Sequence, residues 1–230
     1  MNIIQDVLFP KYCILCNTLG ATLCEGCKKK LERTSLGSCI VCDRLSTDGK
    51  THQKCKNHYS PDNCISLYYY NQTAKALILK SKYGQKSYKL LDNFIEARDI
   101  TKKIGEINDI DVIIPIPMTR SIKKLADINH AEYIAEKISE IKKIPIFDAL
   151  IKTSKTSQKK LTKEYRKLNI KGKIKLDVNF IPQIKDKSIL LIDDVLTTGA
   201  TMIESTKILK LNGAKNVTCL TLTKDEFHNV

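Results

Sequence analysis

This 230-residue sequence has no long apolar run. Its longest apolar segments, residues 112–116 and 189–192, have only the length of a β-strand. A transmembrane helix needs about 20 consecutive apolar residues, so none is expected. The N-terminus, MNIIQDVLFP, carries Asp6 where a secretory signal peptide has its apolar segment, and no small-residue cleavage site follows. These absences predict a cytoplasmic protein.

Two common nucleotide-binding motifs are missing as well. Neither a Walker A sequence nor the dinucleotide-binding glycine fingerprint occurs, which argues against nucleotide hydrolysis and hydride transfer. Acidic residues are in the minority, 25 against 39 Lys and Arg, which gives a formal net charge of +14. Such an excess favours polyanionic partners such as nucleic acid, although lysines on helix exteriors would produce the same composition.

Seven of the nine cysteines lie before residue 56, in a polar and basic stretch with too few apolar residues to form its own core. The pattern Cys-x2-Cys occurs there three times, and His52-x2-Cys55 adds a fourth pair. A CxxC turn brings two thiolates to one point, and two such turns complete a tetrahedral zinc shell. Disulfides are the alternative, which is disfavoured because nothing in the sequence indicates export.

The simplest assignment is an N-terminal module over residues 1–60 that binds two zinc ions. The ligands of the first ion would be Cys13, Cys16, Cys24 and Cys27, and those of the second Cys39, Cys42, His52 and Cys55. The spacing also allows an interleaved arrangement, in which the first pair shares an ion with the third, and His58 is a rival for the eighth ligand. Cys64 and Cys219 lie in apolar, strand-like runs and are expected to be core thiols.

After residue 60 the pattern changes to alternating strands and helices. The predicted strands are 64–70, 111–116, 147–151, 188–193 and 216–223, and the predicted helices are 73–82, 88–102, 129–143 and 200–211. Continuous Val, Ile and Leu in the strands indicate a parallel sheet covered on both faces. The sequence therefore predicts an α/β domain over residues 61–230.

The segment ILLIDDVLTTGATM, residues 189–202, joins a predicted strand to a helix through a turn expected at 195–199. Ligands of open parallel sheets bind beyond the carboxyl ends of the strands. Backbone N–H groups and the helix dipole favour a dianionic phosphate there, and Gly199 permits close approach of the backbone. Asp193 and Asp194 can each accept a hydrogen bond from one ribose hydroxyl. The alternative is simple helix capping, which needs only one of these polar residues.

This segment resembles the signature of the type I phosphoribosyltransferases, which bind phosphoribosyl pyrophosphate (PRPP). The resemblance implies that Asp193 and Asp194 hold the ribose hydroxyls, as the candidate catalytic residues, and that the following turn surrounds the 5′-phosphate. Bound PRPP would carry Mg²⁺, and cationic side chains would stabilise the departing pyrophosphate. The residues assigned to PRPP are Asp193, Asp194, Val195, Leu196, Thr197, Thr198, Gly199, Ala200, Thr201, Pro117, Arg120, Lys124 and Arg166.

An N-terminal zinc module joined to such a domain resembles the ComF family of competence-associated proteins. Further matches to family elements are Lys82-Tyr83-Gly84, residues 115–118 (PIPM), and the spacing of Gln158, Leu161, Arg166 and Asn169. The family element RGFNQ reads ADINH at residues 126–130, which keeps Asn129 but places His130 where the family has glutamine. The fold implied is a parallel-sheet type I phosphoribosyltransferase domain preceded by a double zinc ribbon.

The function implied is that of a competence protein binding PRPP and single-stranded DNA during uptake or processing of transforming DNA, with other DNA-uptake proteins as further partners. Candidate DNA contacts are the basic segment 152–173, the tyrosines 68–70 with their neighbouring lysines Lys75, Lys80 and Lys82, and the zinc-module cations 28–30 and Arg33. One rival function is nucleotide salvage on a free base, and another is a non-catalytic PRPP-sensing DNA-binding protein. No acceptor pocket is identifiable, so phosphoribosyl transfer does not follow from these residues.

Overall fold

The computed structural model describes residues 10–35, 37–82, 86–96, 100, 102–103, 110–119, 128–153 and 170–225. The α-helices are α1 (Glu25–Lys28), α2 (Gln72–Lys80), α3 (His130–Lys142), α4 (Ile181–Ile184) and α5 (Ala200–Leu211), and 3-10 helices occur at Thr47–Gly49, Ser87–Phe94 and Val178–Phe180. The strands are β1 (Gly37–Ser38), β2 (Leu45–Ser46), β3 (Asn63–Tyr69), β4 (Val112–Pro115), β5 (Leu150–Lys152), β6 (Ile174–Leu176), β7 (Ser188–Leu196) and β8 (Asn216–Lys224).

A four-stranded, wholly parallel sheet with the order β3-β8-β7-β4 organises the second part of the chain. Residues of α2, α3 and the 3-10 helix Ser87–Phe94 pack into one buried cluster, and residues of α4 and α5 pack into another. Apolar side chains of the strands enter both clusters, because successive residues of a strand point to opposite faces. The predicted α/β fold with a covered parallel sheet is confirmed. None of the described helices has the length and apolarity to cross a membrane.

Local capping explains where the helices around the candidate site begin and end. The Asn129 side chain accepts a hydrogen bond from the Ala131 backbone and so caps α3, while Lys143 ends the helix in a left-handed conformation at φ 58°. The Asn71 side chain caps α2 in the same way. The predicted helix 200–211 coincides with α5.

β7 ends at Leu196, whereas the sequence predicts that the strand ends at residue 193. The strand continues through Asp193 and Asp194 to Leu196, because Val195 and Leu196 stay in register with Thr223 and Lys224 of β8. The expected turn at 195–199 is therefore only the three residues before α5. Both carboxylates consequently lie on a paired strand, which holds them more firmly than a turn would.

Two other predicted elements differ from the structure. The predicted strand 147–151 contacts the parallel sheet only at its start, where the Phe147 N–H donates to the Ile113 carbonyl at 2.9 Å. Its end is β5, which pairs antiparallel with β6. Only one parallel bridge among the described residues, between Ile113 and Ile146, continues the sheet beyond β4. Part of the predicted helix 88–102 is the 3-10 helix Ser87–Phe94.

The cysteine-rich segment lies along the outer edge of β3. The backbone N–H of Thr34 donates to the carbonyl of Leu67 at 2.9 Å, and the N–H of Tyr69 donates to Glu32 at 2.8 Å. Further along, the N–H of Thr51 donates to the carbonyl of Asp62 at 2.9 Å. Buried side chains of the segment, namely Cys13, Leu23, Cys27 and Leu31, join the cluster that contains residues of α2 and α3. The zinc module and the sheet thus share one core.

Two expectations about buried side chains are confirmed. Cys64 and Cys219 are 4% and 0% exposed, and they lie opposite each other in the register of β3 and β8, as core thiols. Tyr68 is buried at the end of β3 and packs edge-on against Phe94, so one of the three consecutive tyrosines does belong to the core.

Candidate functional site

The first four cysteines converge at one point. The sulfur atoms of Cys13, Cys16, Cys24 and Cys27 all lie within 4.8 Å of one another. Cys24 immediately precedes α1, and the short helix brings Cys27 back toward the first CxxC turn. All four are free thiols. The first and second CxxC pairs therefore meet each other, which rules out the interleaved arrangement.

The four sulfur atoms of this cluster lie so close together that, without a cation, the four thiols cannot all be ionised. A hydrogen bond from the Cys24 backbone lowers the pKa of Cys13 to about 6. A hydrogen bond with Cys16, followed by burial, raises the pKa of Cys27 to about 12. A divalent cation would stabilise all four as thiolates, and a set of four sulfur donors is a typical structural zinc site.

The second cluster contains the sulfur atoms of Cys39, Cys42 and Cys55 and a ring nitrogen of His52, again within 4.8 Å of one another. Nδ1 of His52 lies 3.3 Å from Sγ of Cys42, and Nε2 lies 2.9 Å from the Leu45 carbonyl oxygen. An imidazole that ligates through one nitrogen and donates to a carbonyl through the other is the usual arrangement of a metal-binding histidine. His58 is exposed and packs against Tyr59 instead. The donors of both clusters thus fit zinc, and His52 rather than His58 completes the second set.

The two adjacent carboxylates near the end of β7 have different partners. Oδ2 of Asp194 lies 3.1 Å from Nδ1 of His130 and 3.6 Å from Nζ of Lys82. Oδ1 of Asp193 accepts a hydrogen bond from the Asp194 backbone N–H at 2.9 Å. His130 is the first residue of α3, and its Nε2 lies 3.2 Å from the Oγ of Ser81. His130 and Lys82 were not assigned to this site from the sequence.

These partners separate the protonation behaviour of the two carboxyls. Burial alone would raise the pKa of Asp194, but the hydrogen bond from His130 and the charge of Lys82 outweigh it and lower that pKa. Burial, followed by the charge of Asp194, raises the pKa of Asp193. Asp194 is therefore the carboxylate that stays ionised, which suits an acceptor for a ligand hydroxyl.

The turn after β7 leads directly into the N-terminus of α5. Gly199 precedes the helix with φ 68° and ψ −2°, a left-handed conformation that glycine adopts without strain. Oγ1 of Thr198 lies 3.4 Å from the Ala200 backbone nitrogen. The first N–H groups of a helix have no carbonyl partner within it, so the start of α5 can bind an anion such as a phosphate. Thr197 and Thr201 flank the same turn, with Thr197 exposed.

The end of β4 lies beside the end of β7. The backbone N–H of Ile116 donates to the carbonyl of Ile192 at 2.8 Å, and the side chain of Asn129 donates to the carbonyl of Ile116 at 3.0 Å. Pro117 therefore follows a strand whose neighbour carries Asp193. The other predicted PRPP contacts, Arg120, Lys124 and Arg166, lie outside the described residues, as do Tyr83, Gly84, Gln158, Leu161 and Asn169.

Several cations predicted to contact DNA join parts of this chain instead. Lys80 donates to the carbonyl of Ile14 at 2.6 Å, and Lys28 and Arg33 both form ion pairs with Glu96. Lys82 pairs with Asp194, as described above. Residues 154–169 of the predicted basic segment lie outside the described residues.

Comparison with known families matches both parts of the chain. The phosphoribosyl transferase domain matches residues 88–226, and the double zinc ribbon domain matches residues 4–61. Together with the parallel sheet and the carboxylates before the β7–α5 turn, this shows that the chain belongs to the phosphoribosyl transferase domain family.

Relatives of this chain include competence protein F of Haemophilus influenzae, which is 26% identical over 207 residues, 85% of this chain and 87% of that protein. A ribose-phosphate pyrophosphokinase of Pyrococcus furiosus is 31% identical over 90 residues, 38% of this chain and 32% of that protein. Among solved structures, a purine phosphoribosyltransferase from Pyrococcus horikoshii has a TM-score of 0.34 at 20% identity and covers 59% of this chain and 82% of that one. The allosteric regulatory enzyme of purine biosynthesis has a TM-score of 0.39 at 18% identity and covers 59% of this chain and 26% of that one. The order of the two domains and the similarity to competence protein F along most of both chains make this chain a ComF-family protein.

Proposed function

We propose that this ComF-family protein binds Mg²⁺-complexed PRPP at the end of β7 and single-stranded DNA at a cationic surface, during the uptake or processing of transforming DNA. The observation that carries the PRPP part is the adjacency of Asp193 and Asp194 to the N-terminus of α5 in a phosphoribosyl transferase domain. Asp194 would accept from a ribose hydroxyl, and the turn 197–201 would donate backbone N–H groups to the 5′-phosphate. Arg120, Lys124 and Arg166 remain the proposed contacts of the pyrophosphate. The cytoplasmic location and the domain boundary at residue 60 remain predictions.

Titration calorimetry with Mg²⁺ and PRPP tests this site. The Asp194→Asn variant should bind PRPP roughly tenfold to a hundredfold more weakly, because a hydrogen bond to an ionised group is lost. Asp186→Asn is the matched control, since Asp186 is exposed in a left-handed turn that asparagine also tolerates. Equal affinity of the Asp194→Asn variant and the wild type would overturn the assignment.

PRPP binding is assigned to this site, because the described residues that support it are those that would contact the ribose and the 5′-phosphate. Incubation with Mg²⁺, PRPP and a panel of free bases distinguishes binding from phosphoribosyl transfer. No release of pyrophosphate with any base, from a protein that binds PRPP, would leave binding as the function of the site. Release that depends on one base, and that is lost in the Asp194→Asn variant, would identify a salvage phosphoribosyltransferase instead.

The DNA part of the proposal is supported by a cavity of about 740 Å³ between the zinc module and the edge of β3. Its cationic lining residues are Lys50, Lys102, Lys103 and Lys224, together with Arg33, which is paired with Glu96, and Asp48 is the acidic residue of the described lining. Burial lowers the pKa of Lys224, whose Nζ lies 3.3 Å from the Ser38 hydroxyl. A phosphodiester would stabilise the charge of these amines, and phosphate contacts of this kind bind DNA without sequence preference.

Charge reversal at the rim of this cavity tests the DNA surface. The double variant Lys50→Glu/Lys102→Glu should bind oligothymidylate more weakly and with a smaller dependence on salt, because each phosphate contact releases counterions. Lys185→Glu/Lys207→Glu makes the same change of charge at two exposed lysines that neither line the cavity nor belong to the predicted DNA contacts. An equal loss in both double variants would show that only net charge matters. PRPP added to each titration also tests the sensing alternative, in which PRPP changes the affinity for DNA.

A further inference from the structure

The second metal cluster contains a short segment, Cys39 to Cys42, that also faces the sheet. Cys39 is fully buried and Ile40 is 7% exposed, whereas Val41 is 38% exposed. Two backbone hydrogen bonds close this segment on itself, from Cys39 to the Arg44 carbonyl at 2.9 Å and from Asp43 to the Cys39 carbonyl at 2.8 Å. We call residues 39–42 the knuckle. The side chains of the knuckle that face the interior are the metal ligand Cys39 and the apolar Ile40.

Ile40 of the knuckle lies directly against the β7–α5 turn, residues 197–199, which we call the phosphate turn. A Cβ atom added to Gly199 would lie 2.8 Å from Cγ1 of Ile40, 3.3 Å from its carbonyl oxygen and 3.4 Å from Cδ1. Ile40 also belongs to the same buried cluster as Leu196 and Met202, which flank the turn on either side. The proposed phosphate site thus rests on a residue of the zinc module that lies far earlier in the chain than Gly199.

Apart from its two backbone hydrogen bonds and the packing of Ile40, the knuckle is held in place by its metal ligands. It includes no residue of a described helix, and the neighbouring strands β1 and β2 are only two residues each. Short cysteine-rich segments of this kind acquire most of their folding free energy from the bound metal. The position of Ile40 should therefore depend on whether the second cluster is occupied.

We propose that Ile40 is a positioning residue for the phosphate turn, so that occupancy of the second metal cluster sets the affinity of the site for PRPP. This inference rests on the proposed function of the β7–α5 turn. Metal at the second cluster fixes Ile40, and Ile40 packs against Gly199 and restricts the turn to the conformation that binds phosphate. Because coupling between two sites is reciprocal, bound PRPP must also strengthen metal retention at the second cluster and not at the first.

A double-mutant cycle measured by calorimetry with Mg²⁺ and PRPP tests the contact between Ile40 and Gly199. Ile40→Ala should weaken PRPP binding roughly fivefold, at the low end of known couplings. Gly199→Ala should weaken it further, because the new Cβ meets Cγ1 of Ile40 and the left-handed φ is strained. In the Gly199→Ala background, however, Ile40→Ala should improve binding, because it removes the clashing carbon. Ile40→Val keeps a γ-carbon and should not improve it.

Leu23→Ala is the control for general loosening of the zinc module, since Leu23 is buried in the other core cluster. It should leave PRPP affinity within about twofold of the wild type while lowering thermal stability as much as Ile40→Ala does. If Ile40→Ala causes a loss of the same size in the wild type and in the Gly199→Ala background, the proposed contact is overturned.

Metal release gives a second readout that does not depend on substitutions in the turn. A chromogenic chelator should withdraw zinc from the full chain in two phases, and Mg²⁺ with PRPP should slow only one of them. That phase should be missing in Cys42→Ser and present in Cys16→Ser, two variants that each remove one exposed ligand. In a wild type that binds PRPP, the coupling would be refuted if PRPP slowed both phases of zinc release equally or slowed neither. The proposed function would stand in that case. A wild type that does not bind PRPP would refute the proposed function as well.

Discussion

Asp194 is held by side chains from two other elements, so its ionisation depends on contacts that form only in the folded chain. His130 is separated from it by 64 positions, yet the imidazole lies 3.1 Å from the carboxylate. Lys82, just after α2, adds a positive charge at 3.6 Å. Both contacts lower the pKa of Asp194, and both would be lost if α3 and the end of α2 moved away from the sheet.

Replacement of His130 should therefore change the pH dependence of PRPP binding. Without the imidazole the pKa of Asp194 rises, so protonation of this carboxyl begins at a higher pH than in the wild type. We expect His130→Ala to weaken PRPP binding roughly tenfold near neutral pH and more strongly as the pH is lowered, since a hydrogen bond to a charged group contributes about 1.5 kcal/mol or more.

His130→Gln supplies the control for this prediction, because an amide N–H can donate to the same oxygen. Its affinity should stay closer to that of the wild type at each pH in a calorimetric titration. If the alanine and glutamine variants lose the same affinity at every pH, the hydrogen bond to Asp194 is not what His130 contributes.

The carboxylate of Asp62 forms ion pairs with one lysine from each part of the chain, Lys56 of the zinc module and Lys210 of α5. The carboxylate lies 2.8 Å from Nζ of Lys210, whose side chain is 8% exposed, and it accepts a hydrogen bond from the Val217 backbone at 2.9 Å. Burial would raise the pKa of Asp62, but the contact with Lys210 and the Val217 hydrogen bond lower it. Removal of this charge would leave the buried ammonium of Lys210 with only a neutral partner, the Ser60 carbonyl oxygen.

We expect Asp62→Asn to lower the free energy of unfolding by about 3 kcal/mol at neutral pH, as for a broken buried ion pair. A depressed folded-state pKa stabilises the protein above the unfolded pKa of about 3.9, and this contribution is lost as the pH falls through the folded value. The difference between variant and wild type, from urea unfolding, should therefore be constant near neutrality and shrink below about pH 4. Asp111→Asn, at the more exposed pair with Lys187, should cost less than about 1 kcal/mol.

At the scale of single elements, patterns that repeat within one segment were predictable and pairings between segments were not. The helix α5 follows from the polar turn before it and its own apolar periodicity. The length of β7 depends on β8, because Leu196 remains a strand residue only where Lys224 pairs with it. In the same way, β5 leaves the parallel sheet because β6, much later in the chain, offers an antiparallel partner.

The residues of the candidate site also divide into those that a local sequence pattern predicts and those that only the folded chain brings together. Asp193, Asp194 and the turn before α5 are contiguous, so their chemistry can be recognised in the sequence. His130 and Ile40 reach the site only through the packing of α3 and the knuckle, and no local pattern marks either of them as a partner of the turn. The position of His130 in a family element was the one signal available for it.

The second cysteine cluster allows the role of one ligand, His52, to be tested by substitution. His52→Ala should reduce the zinc content measured by mass spectrometry from two ions per chain to about one, because His52 completes the second set of donors. His58→Ala should retain both ions, since His58 packs against Tyr59 away from the cluster. Two retained ions in the His52 variant would require a different fourth ligand.

At the scale of the whole molecule, the zinc module and the sheet should unfold together. Leu23 and Leu31 of the module are buried among residues of α2 and α3, and Lys80 and Lys210 connect the two parts by further hydrogen bonds. We therefore expect calorimetry to show one thermal transition for the full chain. Both metal clusters belong to the zinc module. Because the module and the sheet share one core, the metal ions should be released in this same thermal transition.

Removal of zinc by a chelator should lower this single transition by roughly 10 °C, since about 3–5 kcal/mol of stabilisation corresponds to that shift in a chain of this size. The sheet should lose its structure at the same temperature as the module, as followed by far-UV circular dichroism. A chelated chain that shows two separate transitions, with the upper one unshifted, would contradict a shared core.

The backbone contacts between the zinc module and β3 have a consequence for the fate of newly made chains. Residues 32–34 and 50–51 cover the outer edge of a strand that would otherwise present unpaired N–H and C=O groups. An uncovered edge of this kind is a template for strands of other molecules, and it promotes aggregation. Metal supply would then decide not only how much ligand each molecule binds but also how many molecules escape aggregation, so that a zinc-starved cell would accumulate this protein as aggregates.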